Sequence, residues 1–251
     1  MSEFTRYGLV FLVVFLSNFQ GSITGFGATV LALPFVTLLI GLDMAVPVLV
    51  MQAWLLAVLI VIEAWRHIRW PAFGKLLGFV VVGLPVGMWM ASAMPEGPLK
   101  LVLGVFTLGV SIHGLIHPMP AEVGEDGLSG WKGGAMTALL PLGGVIHGAF
   151  GAGGPLMVVY CARALPDKSL FRVTMSLLWL VLNTILISRW VAAGSLTIDI
   201  LRVAAVCVPF TLAGLALGAP AHYRVDELLF RRVVYAVLMA AAAVLLYSVF
   251  G

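Results

Sequence analysis

Long apolar runs cut by short polar punctuation make up most of this chain. Runs long enough to cross a bilayer, about 20 residues, occur near 43–64, 74–94, 97–117, 167–190, 198–220 and 227–250. Charge, Pro or Gly bounds each of them, as at Asp43, Trp65-Arg66-His67, Pro95-Glu96-Gly97, Asp167-Lys168, Arg189, Asp199 and Asp226-Glu227. Two further apolar segments, about 6–40 and 131–165, are too long for one span. Each carries a glycine-rich polar break. The first break reads Gln20-Gly-Ser-Ile-Thr-Gly-Phe-Gly-Ala28, and the second reads Ile146-His-Gly-Ala-Phe-Gly-Ala-Gly-Gly154. The breaks predict two pieces per segment, each of roughly 12 to 17 residues and mostly short of a full crossing.

The second half of the chain repeats the first. Gly25 and Gly27 align with Gly151 and Gly153, Gly83-x-x-x-Gly87 recurs as Gly214-x-x-x-Gly218, and Leu99-Lys100-Leu101 recurs as Phe230-Arg231-Arg232. Repeats fix an architecture before any local feature does. The expected fold is an all-α polytopic membrane protein of two inverted repeats, each a re-entrant glycine-motif hairpin followed by three transmembrane helices. Repeat 1 takes residues 1–117, an acidic cytoplasmic linker takes 118–130, and repeat 2 takes 131–251. A simple eight-span chain is the alternative.

Composition agrees with the pattern. The 251 residues are 62% hydrophobic and 10% charged, with a mean hydropathy of +1.11, whereas a soluble domain carries about 25% charge. The net charge is only +3, and the basic residues sit at helix ends, so topology explains them better than nucleic acid does. With two hairpins, ten of the 14 Lys and Arg fall on one side: Arg66, Arg69, Lys75, Lys132, Arg163, Lys168, Arg172, Arg224, Arg231 and Arg232. Arg6, Lys100, Arg189 and Arg202 fall on the other. Broken segments that crossed the bilayer would split them evenly, so the positive-inside rule favours the hairpins. The first apolar segment reads as an uncleaved helix rather than a signal peptide, because no small-residue cleavage site follows it.

Non-helical backbone inside a membrane survives only when buried in protein or facing a watery cavity. Two hairpin tips would present backbone N–H groups and helix N-termini to a shared centre, which favours an anion. Candidate binding residues are Gln20, Ser22, Thr24, Gly25, Phe26, Gly27, Ala28 and Thr29 from the first break, and His147, Gly148, Gly151, Ala152, Gly153 and Gly154 from the second. Pro155 suits the first turn of the helix that follows. Gln52 and Asn183 lie inside spans, where amides face a cavity or bond between helices, and Trp54 and Trp179 lie close by. Trp65, Trp70 and Trp190 fit an interfacial belt. Gly83, Gly87, Gly214 and Gly218 read as close helix packing. His113 and His117 stand four apart without a third ligand and read as interfacial, and Cys161 and Cys207 read as small buried hydrophobes. The sequence assembles no nucleophile, carboxylate pair, metal cluster or phosphate loop, so neither an enzyme nor a cofactor is expected.

The paired segments Gly21-Ser-Ile-Thr-Gly-Phe-Gly-Ala28 and Gly148-Ala-Phe-Gly-Ala-Gly-Gly-Pro155, in a duplicated chain of this length, resemble the TauE/SafE sulfite exporter family, also known as the toluene sulfonate uptake permeases. The resemblance covers nearly the whole chain. It implies a multi-pass bacterial plasma-membrane transporter for small sulfur-containing or carboxylate anions such as sulfite, sulfoacetate or related sulfonates. The first motif departs from the fuller glycine run, with Ala28 opposite Gly154 and Thr29 opposite Pro155. The expected function is export of such an anion by alternating access, the anion lying between the two hairpin tips. An anion channel and a proton-coupled importer are the alternatives. A coupling proton or sodium and a homodimer are compatible with this reading, and His147 is the candidate proton carrier.

Overall fold

The computed structural model describes residues 2–116, 130–165, 167–221 and 227–250. They form ten α-helices: α1 (Glu3–Thr24), α2 (Ala28–Ile40), α3 (Leu42–Ala64), α4 (Trp70–Ala93), α5 (Glu96–Ile116), α6 (Gly130–Phe150), α7 (Gly154–Ala164), α8 (Lys168–Ala192), α9 (Ile198–Ala221) and α10 (Glu227–Phe250). No strand occurs among the described residues. The 118–130 linker, apart from Gly130, and His117 lie outside them. Among the described residues, six helices are long and apolar enough to cross a membrane: α1, α3, α4, α5, α8 and α9.

Helices α3, α4, α5, α8, α9 and α10 overlap the six uninterrupted apolar runs, and all of these but α10 are among the span-length helices just named; the broken segments divide unequally. The first piece is long, with 22 residues in α1 and 21 in α6. At 1.5 Å per residue each is about 30 Å long, close to a full crossing. The second piece is short, with 13 residues in α2 and 11 in α7. The polar residues near the end of α1 do not end the helix, because they bond back onto it. Ser17 Oγ donates to the Val14 carbonyl (3.0 Å), Asn18 Nδ2 to the same carbonyl (2.8 Å), and Thr24 Oγ1 lies 3.1 Å from the Gln20 carbonyl. Such back-bonding satisfies a polar side chain inside an apolar environment without unwinding the helix. Only Gly25–Gly27 is non-helical in the first break, and only Gly151–Gly153 in the second.

Four helix pairs carry most of the packing: α1 with α9, α4 with α6, α3 with α8, and α5 with α10. Exchanging the first five helices for the last five maps this set onto itself. Register gives each pair a direction. Phe11 stacks on Phe210 with centroids 5.0 Å apart, Gly214 faces the Phe15 carbonyl, and Gly218 faces the Phe19 carbonyl, so α1 and α9 run parallel. Gly83 faces Pro141 and Gly87 faces Val145, so α4 and α6 also run parallel. Trp54 with Thr184 and Glu63 with Arg172 make α3 and α8 antiparallel. Gly104 with Leu246 and Gly114 with Tyr235 do the same for α5 and α10.

The repeated Gly-x-x-x-Gly pairs lie at the two parallel contacts. A Cβ on Gly83 or Gly87 would overlap a carbonyl oxygen of α6, and one on Gly218 would stand 2.5 Å from the Phe19 carbonyl of α1. Small residues let two backbones touch, which is how helices associate where lipid offers no hydrophobic gain. Gly87→Leu and Gly218→Leu should each destabilise the fold by roughly 1–3 kcal/mol. Gly78→Leu, at a position with nothing within 4 Å, should melt like the parent. Thermal unfolding in detergent checks both expectations.

Candidate functional site

The two breaks meet at one place. A cavity of about 40 Å³ is lined by Gly21 and residues 25–30 at the first break and by His147, Gly151, Ala152 and Gly154 at the second. Ala53, Leu56, Ala57 and Ile60 of α3 and Ser176, Trp179 and Asn183 of α8 complete the wall. A water needs at least about 10–15 Å³ of such space, so this volume suits a few waters or one small anion.

Each break starts the same way. Gly25 (φ 75°) and Gly151 (φ 65°) take the left-handed conformation that ends a helix, open to glycine at no steric cost. Their N–H groups donate to the Gly21 and His147 carbonyls at 2.8 and 2.7 Å. The second glycine of each motif differs in role. Gly27 is again left-handed (φ 85°), whereas Gly153 has φ −69°. Position 153 is glycine for space: a Cβ there would overlap the Gly143 carbonyl and stand 2.8 Å from the His147 Cβ. Both breaks then open a helix, α2 or α7, whose N-terminus has no side-chain cap. Helix geometry leaves the first N–H groups of such a helix without an internal partner. Pro155 removes one of these donors from α7.

Trp179 ties the breaks together. Its Nε1 donates to the Gly25 carbonyl (3.1 Å), and its ring stacks on His147 with centroids 5.4 Å apart at 20°. Gly154 faces the same ring, where a Cβ would stand 3.7 Å away. His147 Nε2 and Asn183 Oδ1 form a buried hydrogen bond of 3.1 Å. His147 Nδ1 is buried and makes no hydrogen bond.

Eleven sequence candidates line the cavity: Gly25, Phe26, Gly27, Ala28, Thr29, His147, Gly151, Ala152, Gly154, Trp179 and Asn183. The others hold the frame around it. Gln20 Nε2 donates to Thr24 Oγ1 (2.9 Å) and to the Phe26 carbonyl (3.1 Å), and Thr24 Oγ1 donates to that carbonyl (2.8 Å). Ser22 bonds to the Leu215 carbonyl at 3.3 Å. Gln52 Nε2 donates to the Ala204 carbonyl (2.8 Å), and its Oε1 accepts from Thr211 (2.7 Å), joining α3 to α9. Trp54 Nε1 donates to Thr184 Oγ1 at 2.9 Å. Gly148 and Gly153 serve close backbone contacts with α4 and α6. Sequence reasoning missed Ser176 and the α3 wall. Their helical spacing, 53, 56, 57, 60 and 176, 179, 183, was the available signal.

The sequence model of the family described as "Sulfite exporter TauE/SafE" matches residues 10–245. The chain belongs to the TauE/SafE sulfite exporter family. This makes it a membrane transporter by family, and its six span-length apolar helices fit a multi-pass protein of the bacterial inner membrane. A curated relative, "Probable inner membrane transporter protein TsaS" of Comamonas testosteroni, is 26% identical over 132 residues. The aligned stretch covers 53% of this chain and 53% of that relative, about half of each. No solved structure matches.

Trp179→Phe keeps a ring on His147 and removes the donor to Gly25. The buried carbonyl left unpaired should cost the TauE/SafE protein about 1–3 kcal/mol. A lower melting temperature at unchanged helicity is the expected readout.

Proposed function

We propose that this TauE/SafE protein is a secondary transporter that exports a small sulfur-containing or organic anion, such as sulfite or a short sulfonate, by alternating access. One observation carries the reading: two helix N-termini without side-chain caps border one half-open cavity, beside His147 and Asn183. Backbone N–H groups and the positive ends of two helix dipoles favour negative charge there. Thr29 adds a side-chain donor, and His147, held by Asn183, closes the wall with Trp179. An interior-negative potential drives anions outward, so export needs little further driving force.

Helix direction supports an inverted repeat. Taking α3 to run away from one membrane face, α4 returns and α5 runs as α3 does. The parallel α4–α6 contact and the antiparallel α3–α8 contact then send α6 and α8 the opposite way to α3. The parallel α1–α9 contact sends α1 the same way as α3. A first broken segment that starts on the face where α3 also starts has to turn back, and the same holds for the second segment and α8. Both breaks are then re-entrant tips, and α1 and α6 enter from opposite faces. The face that gathers Arg66, Arg69 and Arg172 is cytoplasmic by the positive-inside rule. Two tips entering from opposite sides around one cavity give alternating access a fixed site about which to rock.

Purified protein should gain thermal stability with sulfite or one short sulfonate, since a ligand at 100 times its dissociation constant adds about 2.7 kcal/mol. His147→Ala should abolish the gain, and uptake into liposomes should saturate. Absence of any shift across sulfite, sulfate, thiosulfate, sulfonates and short carboxylates, or conductance that never saturates, contradicts the proposal.

A further inference from the structure

The cavity wall follows one face of each of two antiparallel helices. On α3 it takes Ala53, Leu56, Ala57 and Ile60, and on α8 it takes Asn183, Trp179 and Ser176. One helical turn further along the same faces come Glu63 on α3 and Arg172 on α8. There the two side chains meet, with Arg172 Nη2 3.8 Å from Glu63 Oε2.

The two partners are unequally placed. Arg172 is 8% exposed, and among the residues whose side chains are described it is the only Asp, Glu, Lys or Arg that is buried. The Glu63 side chain is 61% exposed. The backbone of Arg172 is pressed against the first break: a Cβ on Gly25 would stand 2.7 Å from the Arg172 Cα. Ser176, which lines the cavity, donates its hydroxyl to the Arg172 carbonyl at 2.8 Å. Phe171 meets Phe26 edge to face at 6.0 Å.

A buried cation in a membrane protein is costly and marks a path for ions. The carboxylate that Arg172 meets faces water, where an incoming anion can reach it. Helix packing alone would be served as well by an apolar side chain. An arriving anion, by contrast, makes use of both partners.

We propose that the Glu63–Arg172 pair forms the cytoplasmic mouth of the cavity and that Arg172 is a substrate-binding residue. An oxyanion displaces the Glu63 carboxylate from the guanidinium and then passes one turn inward, to the helix N-termini beyond Gly27 and Gly153. The planar fork of Arg172 fits two oxygens of a sulfite, sulfonate or carboxylate group. Glu63 holds the guanidinium in place between substrates and competes with them. This assignment rests on the anion reading given above.

The test is a titration of the full-length protein in detergent with sulfite and with methanesulfonate, read as the midpoint of thermal stabilisation. Glu63→Gln removes the competitor and should lower the midpoint severalfold. Arg172→Gln should raise it about tenfold or more, as loss of one partner of a buried charge contact does. Arg172→Lys keeps the charge without the fork and should fall between. Should Arg172→Gln fail to fold, Glu63→Gln and Arg172→Lys decide alone. A purely structural pair would lower melting in both partner variants and leave every midpoint unchanged. If His147→Ala abolishes stabilisation while the Arg172 and Glu63 variants keep the parent midpoint, the cavity reading stands and this assignment fails. If the parent itself shows no anion-dependent stabilisation, both fall.

Discussion

A backbone that leaves helical geometry inside a bilayer exposes N–H and C=O groups that lipid cannot satisfy. This chain does so twice, and much of its architecture answers that cost. The Gly25 carbonyl takes the indole N–H of Trp179. The Phe26 carbonyl takes Gln20 and Thr24. The N–H groups of Gly25 and Gly151 return to the preceding turn. The donors left over are those at the start of α2 and α7, and they border the cavity. Donor-rich ends suit the anion proposed above, and on that proposal the constraint that demands a frame also supplies the chemistry.

The frame depends on close backbone contact. Gly83 and Gly87 let α4 lie against α6, and Gly214 and Gly218 let α9 lie against α1. Each long first piece of a broken segment is therefore clamped by a helix of the other half. Gln52 adds a buried amide link from α3 to α9. Trp179 contacts both breaks and so couples the position of one tip to that of the other. A rearrangement that moves one half against the other must pass through these contacts.

Much of this was legible in the sequence. Run lengths and bounding charges located helices α3, α4, α5, α8 and α9, each of span length, because lipid sets one length for all of them. The glycine motifs located both breaks, because few other residues end a helix at φ near +70° within an apolar run. Features that depended on partners were less legible. The helix α1 outran its expected length because Ser17 and Asn18 found an acceptor one turn back. The match of Gly27 to Gly153 hid a difference in kind, since one is required by dihedral and the other by the Gly143 carbonyl. Ser22 read as a motif donor, Gln52 as an amide facing a cavity or bonding between helices, and Trp54 as its neighbour in the wall; each donates to an acceptor on α9 or α8. Arg172 counted only as a topological charge, because its burial arises where α3, α8 and the first break converge.

The central claim is that the two breaks jointly hold an anion. The most direct measurement is a crystal structure of the protein with selenite, located by anomalous scattering. The account predicts one strong peak between residues 25–29 and 151–154, within hydrogen-bond reach of the N–H groups that open α2 and α7. Ordered selenite elsewhere, with that cavity empty or filled only by water, would contradict it.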